Sequence, residues 1–210
     1  MKLLLLGASG VVGTGVLHLA VDSDRIDQII APTRKPLDFA HPKLVNPVVD
    51  FSLIEEQTSI FRCDLVICAL GTTLKLAGSA DSFVKIDRDL VLKLAKISQQ
   101  NGAKTFVLNS SLGARPGKNL YLRTKFEVEQ GIEQMGFQRV VHVRPSLIKA
   151  QRSQKRLAEE LGLIVSSLLG PLIPKKYRPV EALAISRTLL AESLKDRSGV
   201  FIIESEEIQP

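Results

Sequence analysis

Met1-Lys2-Leu3-Leu4-Leu5-Leu6-Gly7-Ala8-Ser9-Gly10-Val11-Val12-Gly13 opens the chain, and its reading decides the fold. The unbroken run Leu3–Leu6 stops at a glycine, the pattern of a fully buried strand in a parallel sheet. Apolar residues then recur at helical spacing from Val11 to Val21. The three glycines therefore sit at a strand-to-helix turn. Gly7 permits the tight turn, Gly10 lets backbone N–H groups approach a pyrophosphate, and Gly13 lets the helix pack close on the strand. The helix N-terminus adds unsatisfied N–H groups and the positive end of a dipole. Dinucleotide binding is the function these features predict. Two residues, Ala8 and Ser9, separate the first two glycines, where the usual dinucleotide fingerprint has one.

Outward from that turn, strand-like and helical stretches alternate. Apolar runs fall at Ile26–Ala31, Leu44–Val49, Asp64–Leu70, Thr105–Asn109, Arg139–Val143 and Val200–Ile203. Helical periodicity marks Val11–Val21, Ser82–Gln100, Leu120–Met135 and Val180–Leu194, with a weaker pattern at Lys155–Leu169. Such alternation predicts an α/β fold, a doubly wound parallel sheet, with ligands outside the carboxyl ends of the strands. The residues there include Pro32-Thr33-Arg34-Lys35, Asp50-Phe51, Ala69-Leu70-Gly71-Thr72-Thr73, Ser110-Ser111 and Arg144-Pro145-Ser146. Polarity alone is ordinary for loops; these particular residue types suggest one crevice.

The chain of 210 residues is expected to form one domain, 1–210, burying roughly 70% of the surface its unfolded form exposes. Its hydrophobic content of 45% and charged content of 24% are those of a globular protein. No apolar run is long enough to span a bilayer, and the glycine turn interrupts any signal-peptide layout, so no membrane association is expected. Cys63 and Cys68 supply neither a disulfide framework nor zinc spacing, and His18, His41 and His142 form no metal set. No metal is expected, and a reducing cytosol is the expected location. The net charge of +6 is scattered, with denser groups at Lys149–Arg156 and Lys175–Arg178. Aromatic content of 5% and the lack of a basic stripe interleaved with aromatics argue against nucleic acid.

At the end of the second strand, a site for NAD usually carries an acidic residue that accepts from the ribose hydroxyls. Thr33, Arg34 and Lys35 stand there instead. A guanidinium can hold a 2′-phosphate bidentately, so the expected cofactor is NADP(H). Farther on, Tyr121 and Lys125 lie four apart at the start of a helix and share one face. A tyrosine exchanges protons poorly at neutral pH unless neighbouring positive charge favours its phenolate. Ser111, at a strand end, could hold a substrate oxygen beside that phenol; Ser110 is the alternative, the register being ambiguous by one.

Together these residues make the sequence resemble the short-chain dehydrogenase/reductase superfamily. The two-residue gap in the glycine turn is similar to its extended and atypical branches. Ala69–Thr73, Val84-Lys85-Ile86-Asp87-Arg88-Asp89, Ser110–Ala114 and Tyr121–Lys125 are similar to the atypical subgroup that contains the HIV Tat-interacting protein. The resemblance covers essentially the whole chain and implies a Rossmann fold. By position it implies Gly7, Ser9, Gly10, Val12 and Gly13 at the pyrophosphate, Arg34 at the 2′-phosphate, and Asp50 and Phe51 at the adenine. It implies Leu70 and Gly71 on the ribose side, Arg144 and Pro145 near the nicotinamide, and Ser111, Tyr121 and Lys125 as the catalytic set. Lys125 would also bind the nicotinamide ribose hydroxyls.

Extended members of the superfamily carry a large C-terminal substrate lobe. Only Lys149–Pro179 remains here as a small substrate lid, rich in leucine and bent by Gly170, Pro171, Pro174 and Pro179. That size suits an NADP(H)-dependent oxidoreductase with a small carbonyl or alcohol substrate. The alternative is an NADP(H)-sensing regulator of the NmrA-like kind, acting through a protein partner. A nucleotide-sugar epimerase is a third reading, for which the chain is expected to be too short to supply the sugar lobe. Substrate, direction of reaction and oligomeric state are not legible.

Overall fold

The computed structural model describes residues 1–149 and 174–208. Its first strand, β1 (Lys2–Leu6), divides the core. Leu3 and Leu5 turn to one face of the sheet and Leu4 and Leu6 to the other, all four fully buried. This is what a central parallel strand, covered on both faces, requires of its sequence.

Helix α1 (Val11–Val21) follows, and then β2 (Gln28–Ile30), β3 (Leu44–Val45), a 3₁₀ turn over Ile54–Phe61 and β4 (Leu65–Cys68). Two short helices, α2 (Leu74–Ala77) and α3 (Ala80–Val84), lead through a π-helical segment, Lys85–Leu90, into α4 (Val91–Gln100). The chain continues with β5 (Thr105–Asn109), α5 (Leu120–Glu133) and β6 (Arg139–Arg144). It ends with β7 (Ile148–Lys149), β8 (Val180–Glu181), α6 (Ala182–Ser193) and β9 (Gly199–Glu204).

Seven strands form one sheet in the order β3-β2-β1-β4-β5-β6-β9, every neighbouring pair parallel. That is the doubly wound Rossmann arrangement, and strand order reverses between β1 and β4. Helices α1 and α6 cover the face carrying Leu3, Leu5, Ile67 and Val107; α4 and α5 cover the face carrying Leu4, Leu6, Cys68 and Phe106. Ser186 of α6 donates to the Val12 carbonyl at 2.8 Å, and a Cβ on Gly15 would lie 2.4 Å from the Ser186 Oγ, so α1 and α6 touch backbone to side chain.

Three expectations are corrected by the structure. The third strand, expected over Leu44–Val49, runs only to Val45 because Pro47 has no N–H for the Ala31 carbonyl. The Asn46 side-chain amide takes that place, 2.6 Å from the Ala31 oxygen, and pairing then resumes from Val49 N to Thr33 O at 2.9 Å. The expected helix Ser82–Gln100 is a composite of α3, the π segment and α4. Val180 and Glu181, expected to begin a helix, instead pair with Ile148 and Lys149 as a two-stranded parallel ribbon. The helix at Lys155–Leu169 lies outside the described residues, as does most of the lid.

Candidate functional site

The glycine turn sits at the reversal point of the sheet. Gly7 adopts φ +88°, and a Cβ there would stand 2.6 Å from the Ala69 carbonyl carbon, so the turn rests directly on the chain leaving β4. A Cβ on Gly13 would fall 2.1 Å from the Gly7 oxygen, which only a hydrogen permits. Gly10 differs. Its nearest neighbour to a built Cβ is the Gly7 oxygen at 3.4 Å, and it caps α1 without any side-chain hydrogen bond. The space in front of the helix is thus open, with its first amides available to an anion. Ser9 is exposed there, while the Val12 side chain is buried in the core, leaving its backbone as the group that could serve a ligand.

Thr33 is buried and structural, its hydroxyl donating to Lys35 O at 2.7 Å and accepting from Asn46. Arg34 is exposed beside it and, among the described residues, pairs with no carboxylate. Asp50 accepts from the Ser52 amide and hydroxyl at 2.8 and 2.7 Å, bonds that hold its carboxyl below the usual range. Phe51 is half-buried against the core, as is Leu70.

Asn119 caps α5 by accepting from Leu122 N at 3.1 Å, which sets Tyr121 in the first turn. Its ring lies 5.9 Å from that of Phe83, and Lys125 Nζ lies 5.8 Å from the tyrosine ring centroid. The same ammonium would be 3.6 Å from a Cβ on Gly71. Lys125 therefore reaches the chain that leaves β4, with the Tyr121 ring beside its ammonium.

Asp87, which the sequence places in the Val84–Asp89 motif without a role, completes this arrangement. Asp87, 1% exposed, accepts from Lys125 Nζ at 2.9 Å and from the Thr72 amide at 2.7 Å. It stands in the π-helical segment, a distortion common at functional sites. Burial pulls the Lys125 pKa down, but the Asp87 carboxylate and Tyr121 outweigh it, and the ammonium is held above its usual range. The signal was available: Phe83, Asp87, Val91 and Leu94 fall on one helical stripe, and a carboxylate on an apolar stripe needs a cation.

Ser110 and Ser111 separate cleanly. Ser110 is buried and donates to Glu129 Oε1 at 2.5 Å; Ser111 is half-buried, its hydroxyl making among the described residues only a 3.5 Å contact to the Leu112 carbonyl. Glu129 also receives Arg144 Nε at 3.0 Å and Nη2 at 2.6 Å, while Arg144 Nη1 reaches Glu204 at 3.0 Å. Those carboxylates raise the Arg144 pKa, and its guanidinium ties the ends of β5, α5, β6 and β9 together. Pro145 is buried and accepts from Leu112 N at 2.8 Å, fixing the segment after Ser111 against β6. Asn109 Oδ1, at the end of β5, is buried without a hydrogen-bond partner among the described residues.

A surface depression of about 1250 Å³ lies at the other end of the strands, around Lys2, Asp64 and Thr105. None of the groups above borders it. Among the described residues, no helix is long and apolar enough to cross a membrane.

No family model matches the chain. It is 37% identical over 163 residues to protein HTATIP2 of Rattus norvegicus, covering 75% of this chain and 67% of that protein. It is 33% identical over 207 residues to the mitochondrial protein FMP52 of Candida albicans, covering 95% and 90%. Among solved structures, MoeE5 in complex with UDP-glucose and NAD superposes with TM-score 0.73 at 15% identity, over 97% of this chain and 76% of that one. The UDP-glucose 4-epimerase of Thermotoga maritima gives 0.73 at 17% identity, over 97% and 77%. At such identities these two establish the fold. The FMP52 relatives of Candida albicans, Emericella nidulans and Saccharomyces cerevisiae are named mitochondrial, which overturns the cytosolic location expected from the cysteines. Two buried free thiols indicate reducing surroundings and nothing narrower. By its sequence relatives and its sheet alike, the chain belongs to the short-chain dehydrogenase/reductase superfamily, in the atypical branch that holds HTATIP2 and FMP52.

Proposed function

We propose that the protein is an NADP(H)-dependent oxidoreductase that exchanges a hydride with a small carbonyl or alcohol substrate. The observation that carries this reading is the Lys125 ammonium, 3.6 Å from a Cβ built on Gly71 after β4 and 5.8 Å from the Tyr121 ring centroid. The residues fit a dinucleotide. The space before Gly10, which a Cβ would enter, and the unpartnered Asn109 Oδ1 both suit a polar ligand along this end of the sheet. The backbones of Gly7, Ser9, Gly10, Val12 and Gly13 would hold the pyrophosphate, and Arg34 the 2′-phosphate. Asp50 and Phe51 would flank the adenine, Leu70 and Gly71 the ribose side, and Pro145 and Arg144 the nicotinamide end. When bound, NADP(H) supplies or accepts the hydride.

Tyr121 exchanges the proton on the substrate oxygen through its phenol. Lys125, kept charged by Asp87, sets a cation 5.8 Å from the Tyr121 ring and offers donors to ribose hydroxyls. Ser111 orients the substrate oxygen, because the Ser110 hydroxyl is engaged by Glu129. The FMP52 relatives favour a mitochondrial setting for this chemistry.

One observation favours a second reading, a cofactor sensor acting through a protein partner: the Asp87 carboxylate neutralises Lys125 and weakens its pull on the phenol. The deciding experiment is NADPH oxidation screened over aldehydes, ketones and quinones. Turnover is expected, with Tyr121→Phe reducing it about 10²- to 10⁴-fold while NADPH affinity stays near that of the parent. Absence of turnover, together with partner capture that changes with cofactor redox state, would establish the sensor instead.

A further inference from the structure

Strand β5 ends on a polar side chain, Asn109. Phe106 and Leu108 turn to the face of α4 and α5 and Val107 to that of α1 and α6, so alternation sets Asn109 with Val107. The ladder to β6 continues past the strand, Ser110 N donating to Val143 O at 2.7 Å and Leu112 N to Pro145 O at 2.8 Å. Alternation continues with it. Ser110 turns to Glu129 of α5, and Ser111 returns to the side of Asn109, about 6.6 Å further along. Across the sheet Asn109 pairs with Val143, and Leu108 with Cys68, which brings Asn109 beside Ala69. The Gly7 turn rests on that same Ala69. Asn109 thus stands between the glycine turn and Ser111, on one face of the strand ends.

A buried carbonyl oxygen needs a donor, and leaving it without one is costly. Among the described residues no donor reaches Asn109 Oδ1, while Val107 before it and Val143 beside it are fully buried. In the dinucleotide reading, on which this inference rests, the nicotinamide ring brings the donor. Its carboxamide is borne on the carbon next to the one that carries the hydride. A ring that serves a substrate at Ser111 and Tyr121 therefore carries an amide N–H close to the reacting centre. We propose that Asn109 is a cofactor-binding residue, its Oδ1 accepting from the carboxamide N–H and so selecting a ring that bears that group.

Calorimetric titration with three ligands tests this. They are NADPH, its 3-acetylpyridine analogue, with a methyl in place of the amide nitrogen, and 2′-phospho-ADP-ribose, which has no ring. The parent is expected to bind NADPH about tenfold more tightly than the acetyl analogue, whose methyl leaves the acceptor unpaired. Asn109→Leu should lose about tenfold for NADPH, bind the two dinucleotides equally, and keep the parent's affinity for 2′-phospho-ADP-ribose. Its melting temperature should not fall, because the change removes an unpaired buried acceptor. Equal parent affinities for NADPH and the acetyl analogue would overturn the proposal without any variant. So would an Asn109→Leu protein that keeps its NADPH affinity, or one that loses affinity for all three ligands alike. A parent that binds neither NADPH nor 2′-phospho-ADP-ribose would overturn the dinucleotide reading itself.

Discussion

The Lys125 ammonium lies 2.9 Å from the Asp87 carboxylate, with side-chain exposures of 7% and 0%. Neither charge has water to fall back on, so each depends on the other. Asp87→Ala is therefore expected to cost about 3–5 kcal/mol, the usual loss when one member of a buried pair is removed. Lys125→Met should cost a similar amount, whereas the double variant D87L/K125M should fall closer to the parent than the singles sum to. Urea denaturation of the four proteins measures the coupling, and additive losses would show that the two groups act independently.

A glycine pair separates folding from binding. At Gly13 a methyl group collides with the Gly7 backbone, so Gly13→Ala should cost about 2 kcal/mol or more in thermal unfolding and abolish dinucleotide binding. At Gly10 the methyl has room, so Gly10→Ala should keep its melting temperature and yet lose affinity in calorimetric titration. Unaltered NADPH affinity in a folded Gly10→Ala protein would move the pyrophosphate elsewhere.

Arg34 is exposed at the end of β2, well placed to choose between cofactors. If Arg34 holds the 2′-phosphate as proposed, its replacement by alanine would remove charge-assisted bonds worth about 1.5–3 kcal/mol, or roughly 10- to 100-fold in affinity. The loss should fall on NADPH and leave NADH nearly unchanged. Equal losses for both in fluorescence titration would take the preference for NADP(H) away from this residue.

His142 is fully buried, with Nε2 3.0 Å from Glu133 Oε1 and Nδ1 unpartnered among the described residues. Burial lowers its pKa from 6.5, against the opposing pull of Glu129 and Glu133. The unfolded chain then takes up the proton first, so the stability this group contributes is present above pH 6.5 and is lost as pH falls below it. Unfolding free energies from urea titrations between pH 7.5 and about pH 5 should decline by up to about 1.4 kcal/mol per pH unit from this one group. His142→Gln should flatten that slope, and an unchanged slope would assign it to other groups.

How much of this was legible depends on how local each signal is. The β1–turn–α1 unit was fully legible, because a leucine run, three glycines and a helical period coincide within about twenty residues. The break in β3 was not, since it turns on whether Asn46 can stand in for the missing Pro47 N–H. The π segment escaped because a single inserted residue barely shifts an apolar stripe. Tyr121 and Lys125 were found through their spacing, but Asp87 is thirty-eight positions away and meets Lys125 only in the fold. Likewise the sequence named Ser111 with Ser110 as its alternative, and only the fold reveals that Glu129 engages the Ser110 hydroxyl.

The contact between α1 and α6 joins residues 174 positions apart, Val12 and Ser186. During synthesis the ribosome delivers β1 and α1 first, with an apolar face that nothing made until then can cover. The layer that holds Leu3 and Leu5 must wait for almost the whole chain before it closes. Nascent or C-terminally shortened chains thus carry a sticky N-terminal half, and a chaperone's hold on this protein should begin at β1 and release only when α6 arrives.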